Sequence, residues 1–131
     1  MPLKIKWVVH HSDAIIPTRK TDREAGFDLF AMEERTIDPG IRVFVPIGVG
    51  AIMEGCFGII FSNSSMKFKN LLVMNGVIDQ DYIWDIGPCL VNIQQTSLKV
   101  HRGDPIGQIV FFPQLEFETI VTRAKKPEYG G

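Results

Sequence analysis

Residues 41–61 read IRVFVPIGVGAIMEGCFGIIF, and how this stretch divides decides the fold. Apolar and β-branched residues fall into the short runs IRVFVPI, GVGAIM and FGIIF, separated by Gly and by the turn MEG at 53–55. Runs of that length bounded by Gly, Pro, Asn or Asp are the pattern of strands. The pattern extends outward in both directions. KIKWVV, GFDLFA and RTID come before it, and LLVMNGVI, GPCLVNIQ, SLKVH, IGQIVFF and FETIVT come after. DPG at 38–40 and RGDP at 102–105 supply further turns. Many short strands with closely spaced turns predict an all-β sandwich, barrel or jelly roll. SSMKFKNLL, residues 64–72, with Ser64 or Ser65 as a cap, predicts one short helix.

The chain has 131 residues, 45% hydrophobic and 22% charged, which suits one globular domain with a single core and argues against disorder. A domain is expected over 1–122. The basic, Pro- and Gly-containing RAKKPEYGG at 123–131 reads as a C-terminal arm. The net charge of −1 advertises neither nucleic acid nor a membrane as partner. An anionic ligand would have to meet locally gathered cations. Cys56 and Cys89 stand in apolar runs without metal or redox spacing, so two reduced buried thiols are expected. The N-terminal apolar run is too short for a signal peptide or membrane span, which predicts an intracellular protein, cytoplasmic or nuclear.

Four segments mix polar groups with Gly or aromatics: AGFDLFA (25–31), SNSSMK (62–67), NGVIDQDYIWDIG (75–87) and GDPIGQIVF (103–111). Each has a plain structural explanation. Gly26 can mark a bulge and Asp28 can bond a turn; a Ser of SNSS can cap a helix; Gln108 can sit satisfied at a strand edge. The same Ser hydroxyls and free N–H groups could equally hold a phosphate. If 76–82 is extended, Asp79 and Asp81 share one face. Such crowding suits a nearby cation or a water to be activated. No P-loop is present, and His10, His11 and His101 have no nucleophile motif beside them.

Taken together and in order, the four segments resemble the trimeric dUTP pyrophosphatase (dUTPase) family, from about Pro17 onward. AGFDL resembles its AGxDL, SNSSM its RSSxx or RSGLA loop, GVIDQDY its GVIDxDY hairpin, and GDPIGQIVF its GDRIAQLIF. The resemblance implies a distorted jelly-roll or β-barrel, a homotrimer with sites between subunits, Mg²⁺, and hydrolysis of dUTP to dUMP and pyrophosphate. It implies that Asp79 activates the water attacking the α-phosphorus and that Asp28 holds, through water, a metal carried mainly by the triphosphate. Asn63, Ser64, Ser65 and Gln108 would meet the phosphates, and Tyr82 would pack on the deoxyribose. Gly76 and Gly87 would belong to the hairpin that reads uracil. Tyr129 and Gly130 match the arm that closes the site, with Arg123, Lys125 or Lys126 as phosphate contacts.

The pattern is broken in places. Asn63 stands where the family has a cation, usually Arg, which removes charge from the phosphate loop. Lys67 or Lys69 could replace it. Trp84 fills a position usually held by Gly, and Pro105 and Gly107 replace Arg and Ala. The sequence ends at Gly131, before the Ser-Thr-Gly that follows in the family, as truncation or natural loss would both give. Two readings follow: a working dUTPase, or a dUTPase-fold binding or signalling protein with weak or lost turnover. The related dCTP deaminase chemistry needs a Glu that GPCLVNI lacks.

Overall fold

A computed structural model describes residues 3–63, 68–74 and 76–125. Among them lie eleven strands: β1 (Ile5–Val9), β2 (Gly26–Phe30), β3 (Arg35–Ile37), β4 (Arg42–Phe44), β5 (Val49–Met53), β6 (Cys56–Phe61), β7 (Leu71–Val73), β8 (Val77–Ile78), β9 (Cys89–Asn92), β10 (Leu98–Val100) and β11 (Pro105–Pro113). The stretch 41–61 becomes β4, β5 and β6, as its turns demand. Gly55, in the turn between the last two, takes φ +73°, a left-handed angle that suits Gly and few other residues.

All the ladders between strands are antiparallel. The largest sheet runs β2-β11-β6-β8; a second runs β4-β9-β7; β1 pairs with β5, and β3 with β10. Side chains alternate in and out, most clearly along β6 and β9. Leu29, Ile60 and Ile109 of the largest sheet pack in one buried cluster with Ile37, Val49, Leu90 and Val100. Each such side chain stabilises the fold by roughly 1.5–3 kcal/mol relative to exposure. Trp7, Phe27 and Phe111 form a half-buried aromatic group beside that core, with ring centroids 5.6–6.0 Å apart. The Arg19 guanidinium lies over the Phe27 ring at 4.6 Å, tying the segment before β2 to the sheet.

The all-β expectation holds, but two of its details are overturned. No α-helix occurs among the described residues. The helix expected over 64–72 begins in residues 64–67, which lie outside those described, and its other end is strand. Leu71, Leu72 and Val73 pair with Asn92, Val91 and Leu90 of β9. Leu71 is buried and Leu72 exposed, so the two-residue alternation imposed by a partner strand prevails over a weak helical period. The barrel is overturned as well: the strands form separate open sheets, and the largest ends at β2 and β8 without returning on itself.

One run expected to be a strand is not. FETIVT, 117–122, follows β11 without regular structure, and Leu115, Phe117, Ile120 and Val121 are exposed. A strand needs a partner to satisfy its backbone, and this segment has no ladder among the described residues. Cys56 and Cys89 form no disulfide with each other; Cys56 is buried as expected, whereas Cys89 is only half-buried.

Candidate active site

Three polar side chains from separated parts of the sequence meet at the end of the largest sheet. In the β2–β11 ladder Asp28 faces Gln108, and in the β11–β6 ladder Gln108 faces Phe61, just before Ser62 and Asn63. The Asn63 amide Nδ2 donates to Asp28 Oδ1 at 3.2 Å. The Gln108 amide Nε2 donates to the Ser62 carbonyl at 3.2 Å. Register shifts between Pro105 and Gly107 on β11. An irregularity of this kind bends a strand and re-aims its side chains. Gly26 is a regular member of β2, opposite Val110; the bulge that its glycine suggests is absent. Its use is space, because a Cβ there would run into Gln108 Oε1.

These residues line a cleft of about 590 Å³, within the usual range for small-molecule sites. Thr18, Lys20 and Glu24 complete its rim. None of these three stands out in the sequence. They belong to the mixed-charge run TRKTDRE just before AGFDL, where a solvated loop is the ordinary reading. The structure joins that run to the cleft: Asp28 N–H donates to the Thr18 carbonyl at 2.8 Å, and the two residues form an isolated bridge.

Burial pushes the Asp28 carboxyl above its ordinary range, and the neighbouring Glu24 carboxylate adds to the shift. Lys20 and the hydrogen bond from Asn63 act in the opposite direction. A carboxyl perturbed in this way within a cleft marks a candidate functional site. Among the described residues no three His, Cys, Asp or Glu group to hold a metal ion.

The acidic hairpin lies elsewhere. β8 ends at Ile78, and Tyr82 N–H donates to the Asp79 carbonyl at 3.1 Å, closing a turn. The chain is therefore not extended through 82, and the shared face of Asp79 and Asp81 does not arise. Asp79, Tyr82 and Trp84 are all exposed, Trp84 at 65%. None of them lines the Asp28 cleft.

The base of this hairpin is held firmly. Asp85 accepts from the backbone N–H of Ile47 at 3.1 Å, Gly48 at 2.8 Å and Gly87 at 2.8 Å. Its bonds are thus both local and across to the residues entering β5. His10 Nε2 bonds the Ile83 carbonyl at 2.7 Å. Two glycines permit the close approach: a Cβ on Gly50 would collide with the Ile83 carbonyl, and one on Gly87 with that of Val45. Gly76 accepts from Ile60 N–H at 2.9 Å and has open space around it.

The structure thus brings together Asp28, Asn63 and Gln108, and keeps Asp79, Tyr82, Gly76 and Gly87 on a separate hairpin. Ser64, Ser65, Lys67, Lys126, Tyr129 and Gly130 lie outside the described residues. Lys69, Arg123 and Lys125 are exposed.

Comparison with known proteins identifies the class. The dUTPase of Staphylococcus bacteriophage 80alpha superposes with a TM-score of 0.84 at 20% identity, over 95% of this chain and 99% of that one. The dUTPase from phage phi11 of S. aureus gives 0.81 at 19% identity, over 96% and 99%. The fold is therefore that of the dUTPases. Sequence narrows this to membership. The dUTPase family model matches residues 12–129. The deoxyuridine 5′-triphosphate nucleotidohydrolase of cowpox virus (strain GRI-90 / Grishak) is 32% identical over 117 residues, covering 86% of this chain and 80% of that protein. That of variola virus matches to the same extent. The chain belongs to the dUTPase family, a family of nucleotide hydrolases.

Proposed function

We propose that the protein hydrolyses dUTP to dUMP and pyrophosphate, with Mg²⁺, as a homotrimer. The observation that carries this reading is the 32% identity to the viral nucleotidohydrolases, with the family's four segments in register. Asp79 takes a proton from the water that attacks the α-phosphorus. Positioning and electrostatic stabilisation supply most of the rate in such reactions. Tyr82 packs on the deoxyribose and fills the space a 2′-hydroxyl would need, which rejects UTP. The backbone at Gly76 and Gly87 belongs to the hairpin that meets the base, and Ser64, Ser65, Asn63 and Gln108 meet the phosphates. Tyr129 and Gly130 of the arm close over the base.

Mg²⁺, bound with the triphosphate, would supply charge neutralisation at the phosphate oxygens. Asp28 would hold it through water. A trimer agrees with the separation of the two half-sites, since Asp79 and Tyr82 are exposed and do not line the Asp28 cleft of their own chain, which leaves them able to serve a neighbour's.

Pyrophosphate release tests this directly, with dUTP compared against dCTP, dTTP and UTP in Mg²⁺. Selective turnover of dUTP is expected. Absence of turnover at any enzyme concentration, with dUTP still bound, would instead favour the second reading, a dUTPase-fold binding or signalling protein. Asn63 supports that alternative: its amide brings no charge to the phosphates and is already engaged with Asp28.

A further inference from the structure

A triphosphate carries several negative charges, and the cleft that would receive it is poor in positive ones. Glu24 and Asp28 contribute carboxylates, Asn63 and Gln108 neutral amides, and Pro105 nothing polar. Lys20 is the only cation among the described residues of the lining. We propose that Lys20 is the cation that binds the phosphate chain in this cleft, and that affinity for the triphosphate rests on it. The assignment depends on reading the cleft as a triphosphate site.

Geometry supports it in three ways. First, the segment carrying Lys20 is tied to the cleft floor, because Thr18 bridges Asp28 through a 2.8 Å backbone bond. Thr18 and Lys20 both reach the lining, while Arg19 between them turns the other way onto the Phe27 ring. The alternation expected of extended chain thus sends one cation to the cleft and spends the other on packing.

Second, the loop is held in one shape by its own bonds. Glu24 Oε2 accepts from Lys20 N–H at 2.6 Å and from Thr21 N–H at 3.3 Å, and Arg19 donates to the Glu24 carbonyl at 3.3 Å. Thr21 Oγ1 accepts from Arg23 N–H at 3.2 Å. A preorganised loop loses less freedom when it meets a ligand.

Third, the ammonium is available. No carboxylate lies within ion-pairing distance of it among the described residues, whereas Arg19 and Arg35 pair with Asp22 and Glu33. Lys20 is near enough to Asp28 to be felt by its carboxylate. A cation beside that acid reaches the same phosphates that a shared Mg²⁺ would.

Calorimetric titration of the full chain with dUTP in its non-hydrolysable α,β-imido form, dUMP and inorganic tripolyphosphate, in Mg²⁺ and at two salt concentrations, tests the assignment. A charge-assisted bond of this kind is worth on the order of tenfold in affinity. Lys20→Met is expected to weaken dUTP and tripolyphosphate by about that factor, to flatten the salt dependence, and to leave dUMP within about twofold. Lys20→Arg should restore most of the affinity. Arg23→Met, on the same loop but outside the cleft, should change nothing. Lys20 is exposed, so thermal unfolding of the variants should coincide with wild type.

Unchanged dUTP and tripolyphosphate binding in Lys20→Met overturns the proposal and leaves the dUTPase reading intact. Tripolyphosphate binding that depends on Lys20, in a protein that neither binds nor hydrolyses dUTP, supports the cation site and overturns dUTP as its substrate. Wild-type protein that binds neither ligand overturns both.

Discussion

The Asp28 cleft and the 79–85 hairpin organise their polar groups in opposite ways. In the cleft the groups are fixed by one another: Asn63 bonds Asp28, Gln108 bonds Ser62, and burial alters the carboxyl directly. On the hairpin Asp79, Tyr82 and Trp84 stand in solvent, and order is imposed at a distance through Asp85, His10 and the close approach at Gly50 and Gly87. A cleft of the first kind tunes chemistry through its field. A hairpin of the second kind depends for the accuracy of its exposed groups on its base.

Three substitutions would break or sharpen this contrast. The largest effect is expected at the tip, where Asp79→Asn should lower dUTP turnover by about a thousandfold, within the range for loss of a general base. Binding of dUTP should stay within a few-fold, and single-turnover kinetics with calorimetry separate the two. A parallel loss of binding would make Asp79 a ligand contact instead of a base.

At the base of the hairpin, Asp85→Ala leaves three backbone N–H groups without their acceptor. A stability loss of about 2–3 kcal/mol is expected, because hydrogen bonds to a charged acceptor are worth more than neutral ones and water replaces only some of them. Urea denaturation measures it. The contrast predicts that residual turnover, in protein still folded at low temperature, falls through kcat more than through KM. A drop in stability with unchanged kcat would show that the clamp does not set the tip.

The smallest effect lies in the cleft. The Asp28 carboxyl is raised by burial and by Glu24, so the folded chain keeps its proton to higher pH than the unfolded one. Stability from this group is full below the ordinary carboxylate range and is lost as pH rises through the folded-state value. Asp28→Asn removes that loss. Its melting temperature relative to wild type should therefore climb from acid pH toward neutrality, while Mg²⁺ dependence of turnover weakens. A difference independent of pH would mean that the acid is not strained by its surroundings.

Much of the fold was legible because strand periodicity and Gly- or Pro-bounded turns are local signals. KIKWVV, GFDLFA and the three runs of 41–61 became strands where their residues demanded it. At 71–73 two expectations overlapped, the strand run LLVMNGVI and the helix over 64–72, and pairing with β9, about twenty residues later, decides for the strand. FETIVT misled in the reverse direction, having strand composition and no partner strand among the described residues.

The site was half legible. Asp28, Asn63 and Gln108 converge, although the sequence offers them in three separate segments. Lys20 and Glu24 were missed since only the Thr18–Asp28 bridge carries their loop to the cleft. His10 was set aside for want of a nucleophile nearby, and its place in the structure is at the Ile83 carbonyl, holding the hairpin.

The run after β11 has a consequence for the chain before any assembly. Leu115, Phe117, Ile120 and Val121 are 65–84% exposed, which makes the segment a β-prone ribbon of the type that seeds aggregates. Glu116, Glu118 and Arg123 interrupt it, and charges so placed act as gatekeepers that keep a ribbon soluble while it lacks a companion.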